Sequence, residues 1–374
     1  MPILMLSVSF TSLYGVRIAS ASSVTSVSFS ASSYAALTST TWSMGFTAST
    51  ALVHKDTISI TFPSGFVVPN AASITLTGFG ASCSYSETAS GQVATISLDN
   101  NNCNLAAGAS GTVAIAGITN PGAANYAASL FSLNTNKDTT QIHPLTAVVI
   151  TKATPTVTLS GGTGATFGGS PVTITATTGV AGTVAFTAGG VGITGCSARV
   201  TSGSGPITAT CSWTPTAAGA SISLGATITP TDTTDYNNAL ATPINVSVAQ
   251  AANAVVFGAA PSLTYGGAGG TVTATATGGS VTFTSNTPGV CTVTSGGAVS
   301  IVTAGPCTIL GSTTGNTNYG AASNTQSFTI AQAANAVVFG AAPSLTYGGA
   351  GGTVTATATG GSVTFTSNTP GVCT

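Results

Sequence analysis

The side chains best equipped for covalent chemistry in this chain are seven cysteines, and they come in a pattern. Cys83 and Cys103 lie 20 residues apart, Cys196 and Cys211 lie 15 apart, Cys291 and Cys307 lie 16 apart, and Cys373 stands alone. Pairs of this kind, with no matching set of histidines, read as disulfides formed in an oxidising compartment. Each such loop would contribute about 3 kcal/mol by restricting the unfolded chain. Buried free thiols are the competing reading, because spacing does not fix connectivity. Cys373 repeats the place of Cys291, so its partner is expected beyond Thr374.

Other chemistry finds little to work with. His54 and His143 are the only histidines, far apart and in polar surroundings. With no HExxH or paired CxxC they do not compose a zinc site. Serines are abundant, but no nucleophile elbow or ordered acid–base spacing accompanies them. The glycines are not set in a strand–GxGxxG–helix context that would hold phosphate. The run Asp99-Asn100-Asn101-Asn102 offers one carboxylate, too little charge for a calcium site. Asp232 and Asp235 are better cation candidates, yet Asn316 and Asn318 stand in the corresponding part of the next module. An Asx-type turn around Tyr236 is the reading adopted. Thr271, Thr273, Thr275 and Thr277 form one alternating row, where an ice- or crystal-binding plane needs several. No catalytic, cofactor-binding or metal-ligating residue is therefore expected, and the chain is read as not an enzyme.

Composition sets the class. Only 3% of the 374 residues are charged, with 5 Lys+Arg against 6 Asp+Glu, compared with roughly 25% in ordinary globular domains. The net charge of −1 provides no basic face for nucleic acid and no cluster for anionic lipid. No transmembrane segment is expected in this stretch. A hydrophobic content of 43% argues against wholesale disorder. Thr and Val alternate in short runs between Gly- and Pro-rich turns, and 3.6-residue periodicity is missing, so an all-β chain with almost no helix is predicted.

The elements that must position the cysteines follow from one repeat. Residues 249–292 recur unchanged as 331–374, an offset of 82 residues. A period that long points to whole domains in tandem. The expected division is 22–150, 151–248 and 249–330 as β-sandwich domains, with 331–374 a truncated copy. Residues 1–21 read either as the end strand of a preceding domain or as a weak signal segment. Strands are expected at 24–29, 42–48, 57–62, 74–79, 93–98, 112–118 and 128–133 in the first domain. The second should carry 157–159, 172–177, 183–187, 207–213, 222–228 and 244–248. The repeat should carry 255–257, 271–277, 281–284, 290–293, 299–302, 307–310 and 326–330. Six or seven short strands per domain suit a two-sheet sandwich, with Trp42 and Phe46 as core anchors.

The segment Leu263-Thr264-Tyr265-Gly266-Gly267, then Pro288-Gly289-Val290-Cys291-Thr292-Val293, Ala304-Gly305-Pro306-Cys307, Asn318-Tyr319 and Gln326-Ser327-Phe328-Thr329-Ile330 resembles the bacterial immunoglobulin-like repeats of large secreted and surface proteins of the adhesin type. In residues 151–248, Gly182–Thr187, Ala209-Thr210-Cys211 and Asp235-Tyr236 look like a related repeat. The resemblance covers about 152–374, and the first domain is only loosely similar to secreted β-sandwich modules. It implies tandem immunoglobulin-like β-sandwiches, an extracellular or cell-surface location, and no shared catalytic residues. The function implied is a non-catalytic structural stalk or adhesin segment whose neighbours are further repeats. Two alternatives accompany it. One is a module, most readily 22–150, that binds a surface glycan or protein; the other is an accessory region of a secreted enzyme whose catalytic domain lies elsewhere.

Overall fold

The computed structural model describes residues 22–374, so both readings of residues 1–21 lie outside the described residues. The protein is all-β, built of several small and mostly antiparallel sheets in tandem. Among the described residues helix is limited to one 3₁₀ turn, Ala128–Leu130, and no helix is long and apolar enough to cross a membrane. By contacts the chain divides into two compact units.

Unit one takes the chain up to Gly161 together with Thr173–Cys211 and Ser223–Ile244. Its strands begin with β1 (Thr25–Ala31), β2 (Ser39–Thr47), β3 (Thr57–Thr61), β4 (Ile74–Thr77) and β5 (Tyr85–Ser90). They continue with β6 (Val93–Leu98), β7 (Ser110–Thr119), β8 (Ala124–Tyr126), β9 (Ser132–Thr135) and β10 (Val148–Ile150). Two four-stranded sheets result, β1-β2-β7-β4 and β5-β6-β3-β9. Alternation gives each strand one inward face. Trp42, Met44, Phe46, Val113 and Ile115 from one sheet join Ile58, Ile60, Ile96, Leu98 and Leu133 from the other in a single core. Trp42 and Phe46 share a face because β2 pairs with β7 without interruption from Trp42 to Phe46. The indole meets Phe62 and Phe66 edge-on at 5.7 and 5.4 Å, a favoured aromatic geometry. Its N–H donates to Asn120 Oδ1 at 3.0 Å, and the buried Asn120 amide donates to Ser33 and Ala35 carbonyls.

The strand expected at 128–133 is displaced. Leu130 and Phe131 N–H donate to Ala127 and Ala128 carbonyls, closing a turn that turns the Phe131 ring into the core. The strand then starts at Ser132.

Unit one also holds β11 (Val157–Gly161), antiparallel to β12 (Val172–Thr178). Strand β13 (Gly182–Ala188) carries β14 (Val191–Gly192) and β15 (Arg199–Val200) on one edge. After β16 (Ile207–Trp213) comes β17 (Gly219–Pro230), paired to β13 from Gly182↔Pro230 to Ala188↔Leu224, and then β18 (Ala239–Leu240).

Unit two takes Gly162–Val172, Ser212–Ile222 and Asn245–Thr374. After β19 (Ile244–Val248) come β20 (Val255–Phe257), β21 (Leu263–Thr264), β22 (Gly270–Thr271), β23 (Ala274–Ala276) and β24 (Thr282–Ser285). Next are β25 (Cys291–Val293), β26 (Ala298–Ile301), β27 (Gly305–Thr313) and β28 (Ala322–Ala331). The sheets are β21-β28-β27-β24, β22-β26-β25 and β20-β23, with β21 parallel to β28. Val272, Phe283, Cys291, Val299, Cys307, Ile309 and Ile330 form the core. The single strand expected at 271–277 is two. Val272 is buried and its N–H donates to Gly297 O, while Thr273 O accepts Gly258 N–H, so the chain changes sheets there. The four threonines are exposed but divided between two sheets, and make no continuous plane. Finally β29 (Val337–Phe339) pairs with β30 (Ala356–Ala358).

Candidate functional site

Cys83 is bonded to Cys103, Cys196 to Cys211 and Cys291 to Cys307, with Cα separations of 4.4, 5.6 and 5.8 Å. Cys291 lies on β25 and Cys307 on β27, so this link ties two sheets together. Cys83 and Cys196 instead lie in loops, each clipped to a buried partner. Cys373 is free and exposed.

The polar candidates are absorbed by local structure. Asp99 accepts from Ser86, Asn100 donates to Ser82 O, and Asn101 meets His54 Nδ1 at 3.0 Å, all around the Cys83–Cys103 link. His143 Nδ1 lies against Phe131 O. Among the described residues no three His, Cys, Asp or Glu side chains gather where a metal ion would sit. Two acids missed at the sequence level are buried, Asp56 and Asp138. Asp138 accepts the N–H groups of Ser49 and Thr50 at 2.9 and 3.0 Å and the Thr50 hydroxyl at 2.7 Å. Burial works against its charge, but these donors outweigh it and hold the carboxyl below the usual Asp range. It ties its own loop to residues 49 and 50.

What does recur is a joint. In unit one, Ala153 N–H donates to Asp235 O and Ala153 O accepts from Asn237 N–H, both at 2.8 Å, forming a parallel bridge to Tyr236. Lys152 Nζ donates to Thr233 O at 2.6 Å. Asp232 Oδ1 accepts the N–H groups of Thr234 and Asp235, the expected Asx turn. Asp235 Oδ1 then accepts Ala123 N–H at 2.6 Å, 112 residues away. Partial burial, and then the Asp235 charge, raise the nearby Tyr126 phenol above its usual range.

Unit two repeats the arrangement with uncharged groups. Ala251 N–H donates to Asn318 O at 2.8 Å and Ala251 O accepts Gly320 N–H at 3.1 Å, beside Tyr319. Gln250 Nε2 donates to Asn316 O at 2.7 Å, the role of Lys152. Asn316 Oδ1 caps Asn318 and Tyr319. Asn318 Oδ1 accepts Ala218 N–H at 2.9 Å, as Asp235 does from Ala123. Tyr319 meets Phe167 edge-on at 5.5 Å. A cavity of about 440 Å³ opens beside this joint, lined by Ala165, Ala218, Val248, Gln250 and Thr317 among others, with no charged side chain. It offers packing and hydrogen bonds, and no acid, base or thiol.

The aspartate before Tyr236 and the asparagine before Tyr319 are visible as a recurring Asx-Tyr pair. Their reach to a distant N–H is not, because nothing local marks the partner.

No protein-family model matches the chain, and no curated protein matches it. Solved structures do. The C-terminal 282-residue fragment of intimin, in complex with the intimin-binding domain of the translocated intimin receptor, is 21% identical, over 49% of this chain and 66% of that one, with a TM-score of 0.23. Domains 1–6 of the surface layer protein SbsC are 16% identical over 83% of this chain and 42% of that one, with a TM-score of 0.21. The chain thus spans less than two thirds of each.

Proposed function

We propose that this chain is a non-catalytic structural segment, a run of immunoglobulin-like β-sandwich modules from the stalk or adhesive region of an extracellular or cell-surface protein. One observation carries the reading: the joint of linker alanine, Asx-Tyr pair and backbone N–H is built twice with different side chains. A chain that only needed to separate its modules would have no use for a reproduced joint. Short linkers held at both ends suit transmission of force. The expected modules are 22–150, 151–248 and 249–330, with 331–374 a partial copy.

Two further features support the location. Each full module holds one disulfide, as proteins of oxidising compartments do. The near absence of charge leaves Thr, Ser and Asn to hydrate the surface. Trp42 and Phe46 are at most 2% exposed, so neither ring offers a surface for the glycan-binding alternative.

The test is the thiol state of natively produced protein by non-reducing mass spectrometry. Links Cys83–Cys103, Cys196–Cys211 and Cys291–Cys307 are expected, and six free thiols would overturn the oxidised extracellular reading. Pulling single molecules by their ends should give separate unfolding events, lengthened by reductant. One all-or-none event for the whole chain would count against modules in series.

A further inference from the structure

We infer that the end of residues 249–330 bearing Tyr265 is a docking surface, and that its occupant is the Asn-Tyr segment of another copy of the same repeat placed next in line. The inference rests on the tandem-module reading and goes beyond it by naming the face and the side chains that fill it.

The occupied version is already in unit two. Phe167 N–H donates to Ala249 O at 2.9 Å, Thr166 bridges Ala249 in parallel, and Gly169 N–H closes onto Thr166 O at 3.0 Å. That geometry presents the Phe167 ring to Tyr319. Asn318 beside it takes the N–H of Ala218, at the Ala-Gly step that opens β17.

The repeat rebuilds the same face. Tyr265 N–H donates to Ala331 O at 2.9 Å, Leu263 and Thr264 pair in parallel with Ile330 and Ala331, and Gly267 N–H closes onto Thr264 O at 3.0 Å. Tyr265 therefore stands where Phe167 stands, but is 48% exposed. An Ala-Gly step, Ala304-Gly305, opens β27 as Ala218-Gly219 opens β17. The linker half is present as well, since Gln332-Ala333 repeats Gln250-Ala251. What suits the space is an amide acceptor followed by a tyrosine, the pair that Asn318 and Tyr319 provide one step earlier. An apolar edge-on ring contact and a single neutral hydrogen bond need no charge, and residues 249–330 carry no Asp, Glu, Lys, Arg or His.

The experiment is to extend the full chain after Thr374 with a second copy of residues 293–330, and to follow nitration of individual tyrosines by peptide mass spectrometry. In the chain as it stands Tyr265 should nitrate readily and Tyr319 poorly. In the extended chain Tyr265 should lose most of its reactivity, while Tyr347, at the same place in the second copy, stays reactive. Changing the added tyrosine to alanine should restore Tyr265. A Tyr265 equally reactive in all three proteins, with the added copy shown to be folded by its new disulfide to Cys373, overturns the docking face and leaves the tandem reading intact. An added copy that leaves Cys373 unpaired overturns both. Protection that appears in the unextended chain as concentration rises would assign the face to contact between molecules, and overturn the in-line occupant.

Discussion

Residues 249–292 and 331–374 carry one sequence in two environments. In the first copy Val255 is 3% exposed, Val272 1% and Phe283 8%; in the second, Val337, Val354 and Phe365 are 51%, 49% and 50% exposed. Strands β21, β22, β24 and β25 have no counterpart in the second copy. What survives is local. The hairpin of β29 with β30 keeps the register of β20 with β23, residue for residue. Asn335 clamps Gly360 as Asn253 clamps Gly278, and Gly340 N–H donates to Thr355 O at the 2.8 Å seen from Gly258 to Thr273. The strands that vanish are those paired in the first copy with β26, β27 or β28. A two-stranded pair holds a shape but buries little, and in the first copy the other strands pair with β26, β27 and β28, which lie after the repeated stretch.

Matched substitutions in the two copies measure that difference. Phe283→Ala should cost about 3–5 kcal/mol, the usual figure for a buried ring, whereas Phe365→Ala should stay within about 0.5 kcal/mol. Thermal unfolding followed by hydrogen-exchange mass spectrometry on both segments gives the comparison, and equal effects would break it. Cys291→Ala should cost about 3 kcal/mol through loss of its link to Cys307, and Cys373→Ala almost nothing. Ser285 and Thr287 contact Cys291 Sγ, as Ser367 and Thr369 contact Cys373. In the second copy those hydroxyls hold a free thiol below its usual pKa.

Gly278→Ala should cost about 1–3 kcal/mol by overpacking, since an added Cβ would overlap Tyr319 Cβ. At Gly360 the nearest atoms belong to Asn335 at 3.7 Å, and the same change should be tolerated. Denaturant midpoints of the two variants decide the point; a tolerated Gly278→Ala would mean the Tyr319 contact is absent in solution. Asn253→Ala should cost about 1–2 kcal/mol, because it frees Gly278 N–H and two carbonyls. Asn335→Ala should cost a few tenths.

Acid separates the repeat from the first core. Asp138 has its folded pKa below an unfolded value of about 3.9. Its contribution is therefore complete above that value and is lost as pH falls toward the folded one. Residues 249–330 contain no acid, base or histidine to titrate there. Lowering pH from 7 to about 2, below the usual carboxyl range, should weaken exchange protection around Thr50 and leave Cys291–Ile309 unchanged. Parallel losses in both regions would remove Asp138 as the cause.

Strands with clean apolar alternation were legible in advance: Val93–Leu98, Ile207–Trp213 and Val255–Phe257 form as read. Strand β5 was not, because Tyr85–Ser90 is an edge strand whose half-buried face is Tyr85, Glu87 and Ala89, with a charged residue where an apolar one would mark the alternation. Thr271–Thr277 alternates perfectly and still breaks, since the choice of sheet is made by Gly297 and Gly258 from outside the run. The Asx turn at Asp232 follows from its own neighbours. The bond from Asp235 to Ala123 depends on a backbone group that no spacing rule singles out.

The sequence by itself determined what short range can decide: an all-β chain, the hairpin that forms in both copies, and a repeat with no formal charge. Tertiary structure decided which of two identical phenylalanines is buried and where the recurring Asx-Tyr pair docks. The bonds of that strand pair span 17 to 21 residues, all of them inside the repeated stretch, so they form in both copies. Burial needs a second sheet, and here that sheet is supplied by residues many positions away.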